Sequence, residues 1–352
     1  MRFDSKKKIN YLISLDDSLL VKGLAICLML MHHLFDNTNY GDTVYCLAYN
    51  GKVCVSLFIF LSAYGLAVPF EKEMSAGFKI RTIFTFYFKR YLKLYLNFWS
   101  VFIITVPIGI YCFGRTLTDA YGEGNAVSGL ILDFFGLASY RSYNITWWFY
   151  QAIIFLYLAF PFLYYAIRKV PFIITAIVLG GLSFFDIPLD NYWTDVTLYY
   201  RIFSVGIIIA IYRNVISQFL NRLHYAAVAL IAAGIIGYIV ELRYYMDFIA
   251  TVKADIVTSL AIIILAIIVL REIKYLNQVL MFLGKHSMNI FMTHTFLYLY
   301  FFHDYIYCSD NFAVIFSVLL ASSLSISILL EFVKTKLGLY RLIDKAIARV
   351  KP

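Results

Sequence analysis

The pattern of apolar and polar positions divides the chain into long apolar runs separated by short polar segments. Runs such as 256–270 and 313–330 consist of apolar and small residues, without the strict alternation that a strand of a membrane barrel requires. Inside a bilayer the backbone polar groups must find partners within the chain, so these runs indicate helices. We therefore predict an all-α fold, a polytopic bundle of transmembrane helices.

About ten runs are candidates for crossing a hydrocarbon core that takes about 20 helical residues. The predicted spans lie near residues 19–35, 52–70, 95–113, 147–166, 171–185, 198–212, 225–240, 255–270, 287–302 and 312–332. The whole chain, 1–352, is predicted to form one membrane domain. A charged segment, 1–18, precedes the first span without a cleavage site, and a tail, 333–352, follows the last.

The lysines and arginines fall mostly on one side of these spans. They concentrate in the segments 1–18, 71–95 and 333–352, whereas the opposite loops hold few basic residues. The positive-inside rule then places both termini in the cytoplasm. The net charge of +9 is thereby explained by membrane topology, and no nucleic-acid partner is expected.

The composition leads to the same class of protein. Apolar residues make up 62% of the chain and charged residues 14%, which is too apolar for a water-soluble domain. We expect a multi-pass protein of the inner or plasma membrane whose partner is the lipid bilayer, with its oligomeric state left open, homo-oligomer included. The five cysteines are scattered without metal-ligand spacing, so no metal site is expected.

Ionisable side chains inside a predicted span are costly in lipid and indicate function. Lys22 and His33 are eleven positions apart in the first span. At about 100° per residue they share one helical face, about 16 Å apart along the axis. Taken alone, Lys22 is typical of a lysine that snorkels to the interface, and His33 of an interfacial histidine; the shared face favours function. Asp36, one turn beyond His33, is predicted to hold the ring nitrogen of His33 and fix its tautomer.

A second group of polar residues lies where the chain enters the third span. Lys89, Arg90 and Lys93 form a basic cluster at helical spacing, with aromatic neighbours. Such a cluster can bind a phosphate-bearing ligand or can anchor the protein to anionic lipid, and the residues alone favour the anchor.

The remaining polar candidates give weaker signals. Ser62 in the second span is also typical of a helix-packing serine, and His294 is a further intramembrane imidazole. Asn144 and Thr146 form a glycosylation sequon, which we interpret as accidental because it adjoins a span.

These residues together resemble acyltransferase family 3 of integral membrane proteins, and the resemblance covers nearly the whole chain. That family has a basic residue, ten residues and a histidine in its first span, which Lys22 and His33 match with lysine in place of arginine. It has a serine-glycine-aromatic stretch in the second span, similar to residues 60–64 with Ala63 in place of glycine, and an R-x-x-R that resembles residues 90–93.

Two later segments extend the resemblance. Trp148 and Phe149 followed by residues 157–161 are similar to a Trp-Phe segment that leads to Tyr-x-x-x-Pro, and residues 283–294 to a late L-G-K-x-S…H segment. Many members carry two glutamates where Ile153 and Ile154 stand here. The chain therefore looks closer to the branch that includes polysaccharide and surface-sugar O-acetyltransferases.

The resemblance implies an acyl-CoA donor, most simply acetyl-CoA, presented from the cytoplasm. It implies a catalytic role for His33, as general base or transient acyl carrier, with Asp36 beside it. Lys22 would guide the thioester arm, and the donor phosphates would meet the basic cluster. By the same resemblance, donor-binding residues are Lys22, Lys89, Arg90 and Lys93, and supporting residues are Ser62, Tyr64, Trp148 and His294.

The acceptor implied by the resemblance is a hydroxyl of a surface or lipid-linked saccharide. A polysaccharide or glycolipid exporter or flippase is the alternative, since transporters also carry buried histidine and lysine, although no paired Gly/Pro-broken spans occur in the two halves of the sequence. A scaffold that anchors a biosynthetic complex is a third interpretation.

Overall fold

The computed structural model describes residues 12–36, 40–75, 80–138, 142–170 and 194–350. Within these ranges every regular element is a helix, as the unbroken apolar runs predict. In chain order the helices are α1 (Leu15–Phe35), α2 (Asp42–Asn50), α3 (Val53–Ser75), α4 (Ile80–Phe113), α5 (Leu117–Tyr121), α6 (Ala126–Phe134), α7 (Trp148–Lys169), α8 (Thr194–Ile211), α9 (Arg213–Leu220), α10 (Tyr225–Leu242), α11 (Phe248–Ile268), α12 (Lys274–Thr295), α13 (His303–Ile306), α14 (Phe312–Lys336) and α15 (Leu339–Val350).

The prediction of a polytopic helical bundle is confirmed. Seven helical segments of the described chain are long and apolar enough to cross a membrane, or eight if the bent pair Thr197–Ile211 and Arg213–Leu220, which meets at 76°, is one span. The predicted span 171–185 lies outside the described residues. The span predicted at 287–302 falls on the end of α12 and on a π-helical turn, Phe296–Phe301. Because α12 contains polar residues, it is not one of the seven apolar segments.

Helix α1 begins at a capping box and lies in the middle of the bundle. The Ser14 side chain accepts a hydrogen bond from the Asp17 backbone N–H, and the Asp17 carboxylate accepts one from the Ser14 backbone N–H, so orphan donors of the first turn are satisfied. The Asp17 carboxylate also pairs with Arg271, 3.3 Å away. The start of α1 is thereby tied to the segment that leads into α12.

The most extensive helix–helix contact of the described chain joins α1 and α12, which run parallel. A Cβ atom added at Gly23 would meet the backbone carbonyl of Leu280, and one added at Gly284 would meet that of Leu19. Glycine is therefore required at both positions, because only its missing side chain allows two backbones to approach so closely. Twelve residues beyond Gly23 and eleven beyond Gly284, this parallel pairing brings the C-terminal ends of α1 and α12 side by side.

Several segments predicted to be cytoplasmic meet at one end of the bundle, which we call the basic end. There the Glu71 carboxylate accepts hydrogen bonds from Arg168, at 2.8 Å, and from Arg213, at 2.5 Å. This carboxylate joins the ends of α3 and α7 to the start of α9. The opposite end of the bundle is called the far end below.

A buried lysine ties the tail helix α15 to the bundle near the basic end. The Lys334 ammonium is 1% exposed, pairs with Glu331, and donates hydrogen bonds to the side-chain oxygens of Asn97, at 2.9 Å, and Asn289, at 3.2 Å. The Tyr340 hydroxyl donates to the same Glu331 carboxylate at 2.6 Å. These contacts satisfy a charge that would otherwise be costly to bury, and they connect α4, α12, α14 and α15.

Helices α5 and α6 form a cap at the far end, and at nine residues α6 is too short to cross a bilayer. Asp133 on α6 is 1% exposed. One of its oxygens accepts hydrogen bonds from the Tyr121 hydroxyl, at 2.8 Å, and the Tyr143 backbone N–H, at 2.6 Å. Burial outweighs these bonds and raises the pKa of the Asp133 carboxyl to about 7.

We expect Gly23→Ala and Gly284→Ala to lower the free energy of unfolding by about 1–3 kcal/mol each, because the added methyl group pushes two backbones apart. Thermal unfolding of the full chain in detergent measures this change. The control is Gly234→Ala on α10, where an added Cβ meets open space. Equal melting temperatures for all three variants would contradict the close approach.

A pH dependence follows from Asp133. A carboxyl whose pKa is raised on folding stabilises the protein fully below about pH 4, the usual pKa of aspartate, and this contribution is lost as pH rises towards 7. The melting temperature of the wild type should therefore fall over this interval more steeply than that of Asp133→Asn, which cannot titrate. Parallel curves for the two proteins would show that Asp133 is not buried as described.

Candidate active site

Two imidazoles meet at the far end of the α1–α12 pair. The ring centroids of His33 and His294 are 5.0 Å apart, and the ring of Tyr298 lies 6.0 Å from the first and 5.9 Å from the second. His294 is fully buried, whereas His33 is half-buried. Parallel pairing of the two helices thus brings together histidines that are more than 250 positions apart in the sequence.

Hydrogen bonds fix the orientation of the His294 ring. Its Nδ1 lies 2.9 Å from the carbonyl oxygen of Phe291 and 3.2 Å from that of Ile290. A carbonyl oxygen only accepts, so Nδ1 carries the hydrogen, and in the neutral ring Nε2 has the free lone pair. That Nε2 faces the hydroxyl of Thr295 at 3.3 Å.

A chain of hydroxyls extends from Thr295 to the segment before α7. The Thr295 and Thr146 hydroxyls are 3.0 Å apart, and Thr146 donates to the side-chain oxygen of Asn144 at 2.8 Å. All three residues are buried, so none of them can carry a glycan in this fold. Sequence reasoning missed their position beside His294; the Asn-x-Thr pattern was the available signal, and the Asn144 side-chain oxygen accepts from both the backbone N–H and the hydroxyl of Thr146.

The predicted contact between Asp36 and His33 is wrong. The Asp36 carboxylate lies 3.6 Å from Nδ1 of His32 and 3.9 Å from the Lys52 ammonium. On a helix the i,i+4 pair, here His32 and Asp36, is separated by about 40°, whereas the i,i+3 pair with His33 is separated by about 60° in the other direction. The Asp36 carboxylate therefore interacts with His32, whose Nδ1 also lies 3.0 Å from the Ala48 carbonyl oxygen.

A cavity of about 180 Å³ lies between the histidines and the basic end. Its lining comes from α1, α3, α4, α7 and α12: Lys22, Phe58, Ser62, Leu94, Phe149, Tyr150, Ile153, Tyr157, Ser287, Met288 and Phe291. Lys22 is the one charged residue among them. The cation and the imidazole predicted to share a face of α1 thus have different surroundings: Lys22 lines the cavity and His33 adjoins His294.

Of the four supporting residues suggested by the sequence, Ser62 lines the cavity, His294 adjoins His33, and Tyr64 and Trp148 do neither. The Tyr64 hydroxyl accepts a hydrogen bond from the Ile13 backbone N–H at 3.3 Å, so this side chain secures the start of α1. The indole of Trp148 stacks on Tyr199, with ring centroids 6.0 Å apart. Trp148 therefore supports the start of α7, next to the cavity residue Phe149.

Arg90 of the basic cluster lies beside the lining of the cavity. It is one helical turn from Leu94, which lines the cavity, and so shares a face of α4 with it. It is also close enough to Tyr157, another lining residue, for an electrostatic interaction. A guanidinium in this position can meet an anion at the cavity mouth.

Lys89 lies on the neighbouring face of α4, towards the tail helix α15, and Lys93 lies between that face and Arg90. That face is marked by Thr85, whose hydroxyl donates to the Val350 carbonyl at 3.4 Å. Lys89 is half-buried and Lys93 is exposed. The three basic residues therefore line one side of the basic end without converging on one point.

In the part of the chain that the structure describes, no three His, Cys, Asp or Glu side chains are grouped so as to hold a metal ion. The chemistry available at this site is that of imidazole, ammonium and hydroxyl groups, which suits proton transfer and nucleophilic attack.

Comparison with known proteins gives one match. A family model described as an acyltransferase domain matches residues 13–332, which is nearly the whole chain. No curated protein and no solved structure matches the chain. The matched range includes α1 and α12, and so both histidines and the cavity.

Proposed function

Because the chain belongs to the family defined by this acyltransferase domain, we propose that it transfers a short acyl group, most simply acetyl, from acyl-CoA to a hydroxyl of a surface or lipid-linked saccharide. One observation carries this proposal. Lys22 lines a cavity that lies towards the basic end, and His33, further along the same helix face, lies against a second imidazole. Such an arrangement allows a donor and an acceptor to arrive from opposite ends of the bundle.

The donor enters from the basic end, which is cytoplasmic in this proposal. Its phosphates meet Arg90, with Lys89 and Lys93 adding positive charge beside it. The thioester arm then passes Lys22 into a cavity whose wall is largely apolar. An apolar wall suits this arm because it excludes the water that would hydrolyse the thioester.

His33 acts as the general base. Its imidazole takes the proton of the acceptor hydroxyl while the oxygen attacks the thioester carbonyl carbon. The carbon–sulfur bond breaks, a carbon–oxygen ester bond forms, and the leaving sulfur receives the proton from His33 to give free CoA thiol. The His294 ring packs beside His33, and its hydrogen bond to the Phe291 carbonyl fixes its orientation.

We expect His33→Ala to lower acyl incorporation by at least about a hundred-fold, the usual contribution of a general base. Mass spectrometry of the surface saccharide measures the incorporation, and the amount of protein in the membrane fraction checks insertion. His224→Ala, which removes an exposed histidine at the basic end, is the control and should retain full activity. Normal acylation by His33→Ala would contradict the role of this residue.

The same measurement separates an acyltransferase from an exporter. Cells that lack the chain should make the saccharide with one acyl group missing from its mass. If they instead lose the surface polymer altogether, export is the function.

Replacing Lys89, Arg90 and Lys93 together by alanine should raise the KM for acyl-CoA roughly tenfold or more while changing kcat little, because the donor phosphates lose charge-assisted contacts. A matched control removes three exposed positive charges from α15, at Arg341, Lys345 and Arg349. An equal KM in the two triple variants would assign the cluster on α4 to lipid anchoring.

A further inference from the structure

Three phenylalanines from three different helices form the far end of the cavity. Phe58 lies on α3, one turn N-terminal to Ser62. Phe149 lies near the start of α7, and Phe291 lies on α12. The opposite end of the same cavity carries its polar groups, Lys22 and Tyr157 among them. The cavity is thus polar towards the basic end and aromatic towards the histidines.

Ring contacts make these phenylalanines one unit. The ring centroids of Phe149 and Phe291 are 4.9 Å apart, and those of Phe58 and Phe149 are 6.3 Å apart. Phe149 is 8% exposed and Phe291 7%, so neither ring can turn out of the wall without displacing its neighbours. We call Phe58, Phe149 and Phe291 the aromatic wall.

The aromatic wall also contacts the histidine pair. The ring of Phe291 lies 6.1 Å from that of His294, which in turn lies 5.0 Å from His33. Phe291 precedes His294 by three residues on α12, which is about one helical turn or about 4.5 Å along the axis. The aromatic wall therefore stands between the space open to a donor and the imidazole that is to act on it.

We propose that Phe149 and Phe291 set the length of the acyl group that this protein transfers and restrict it to short chains. The inference rests on the proposed function. A reacting thioester carbonyl must reach the edge of the aromatic wall that faces His33, so the rest of the acyl group must fit the space that these two rings leave. A two-carbon group needs little of that space, whereas each further methylene must displace a buried ring.

The size of the expected effect follows from how strongly apolar pockets discriminate between substrates that differ by one methylene. One methylene in excess changes kcat/KM by roughly 10- to 200-fold in such pockets. Replacing a wall phenylalanine by alanine removes the obstacle, and the vacated space is apolar and can hold additional methylenes. Longer acyl groups should gain most from the substitution.

The test compares Phe149→Ala and Phe291→Ala with the wild type, using acetyl-CoA, butyryl-CoA and hexanoyl-CoA as donors. The first readout is binding: the shift in melting temperature that each donor causes in the purified full chain, which requires no acceptor. The second is the ratio of butyryl to acetyl incorporation into saccharide by membranes that contain the chain. In the wild type acetyl-CoA should be strongly preferred, and both variants should raise the butyryl-to-acetyl ratio at least tenfold.

Phe160→Ala is the matched control. Phe160 lies on the same helix as Phe149, is fully buried among aromatic rings, and does not line the cavity. It should lower activity with all donors equally and leave their ratio unchanged. If the alanine variants do not fold, Phe149→Leu and Phe291→Leu remove less volume and should shift the ratio in the same direction.

The possible failures are distinguishable. If no acyl-CoA is bound or consumed by the wild type, the proposed function is wrong. If acyl-CoA is used but the wild type accepts butyryl as well as acetyl, or the ratio stays within twofold in both wall variants, only the inference about the aromatic wall is wrong. A ratio that changes equally in Phe160→Ala would also overturn it, since the effect would then arise from general loosening of the core.

Discussion

The close approach of α1 and α12 is the constraint on which the site depends. Gly23 and Gly284 allow the two backbones to touch in the halves nearer the basic end, and the parallel course of the helices then fixes which residues meet further along. His33 and His294 meet because each lies the same distance beyond the crossing point. Without hydrophobic attraction between helices in lipid, such backbone contact is the main source of their association.

Along the axis of this helix pair, the surrounding side chains change from charged at the basic end to apolar and then aromatic near the histidines. Ion pairs among Asp17, Glu71 and their arginine partners gather at one end, where water can solvate what they leave exposed. The cavity and the imidazoles follow in turn. In the proposed function, this gradient lets a polar donor and a hydroxyl acceptor reach one point without either having to cross lipid.

Much of the fold could be predicted because continuous apolarity is a local property. Nine of the ten predicted spans fall on described helices, and α12 was recognised despite its polar residues. The shared face of Lys22 and His33 was also predictable, since it needs only the helical repeat. The partnership of His33 with His294, the hydroxyls of Thr146 and Thr295, and the aromatic wall depend on tertiary contacts that no local pattern contains. Asp36 was misassigned because two neighbouring histidines compete for one carboxylate, and the i,i+4 partner His32 lies closer to it in helical angle than the i,i+3 partner His33.

The distance in sequence between the two halves of the site has a consequence for biosynthesis. Helix α12 is synthesised about 260 residues after α1. Until α12 enters the membrane, Gly23 and the His33 imidazole on α1 lack the neighbours that α12 provides. The histidine pair is thus complete only when α12 packs beside α1.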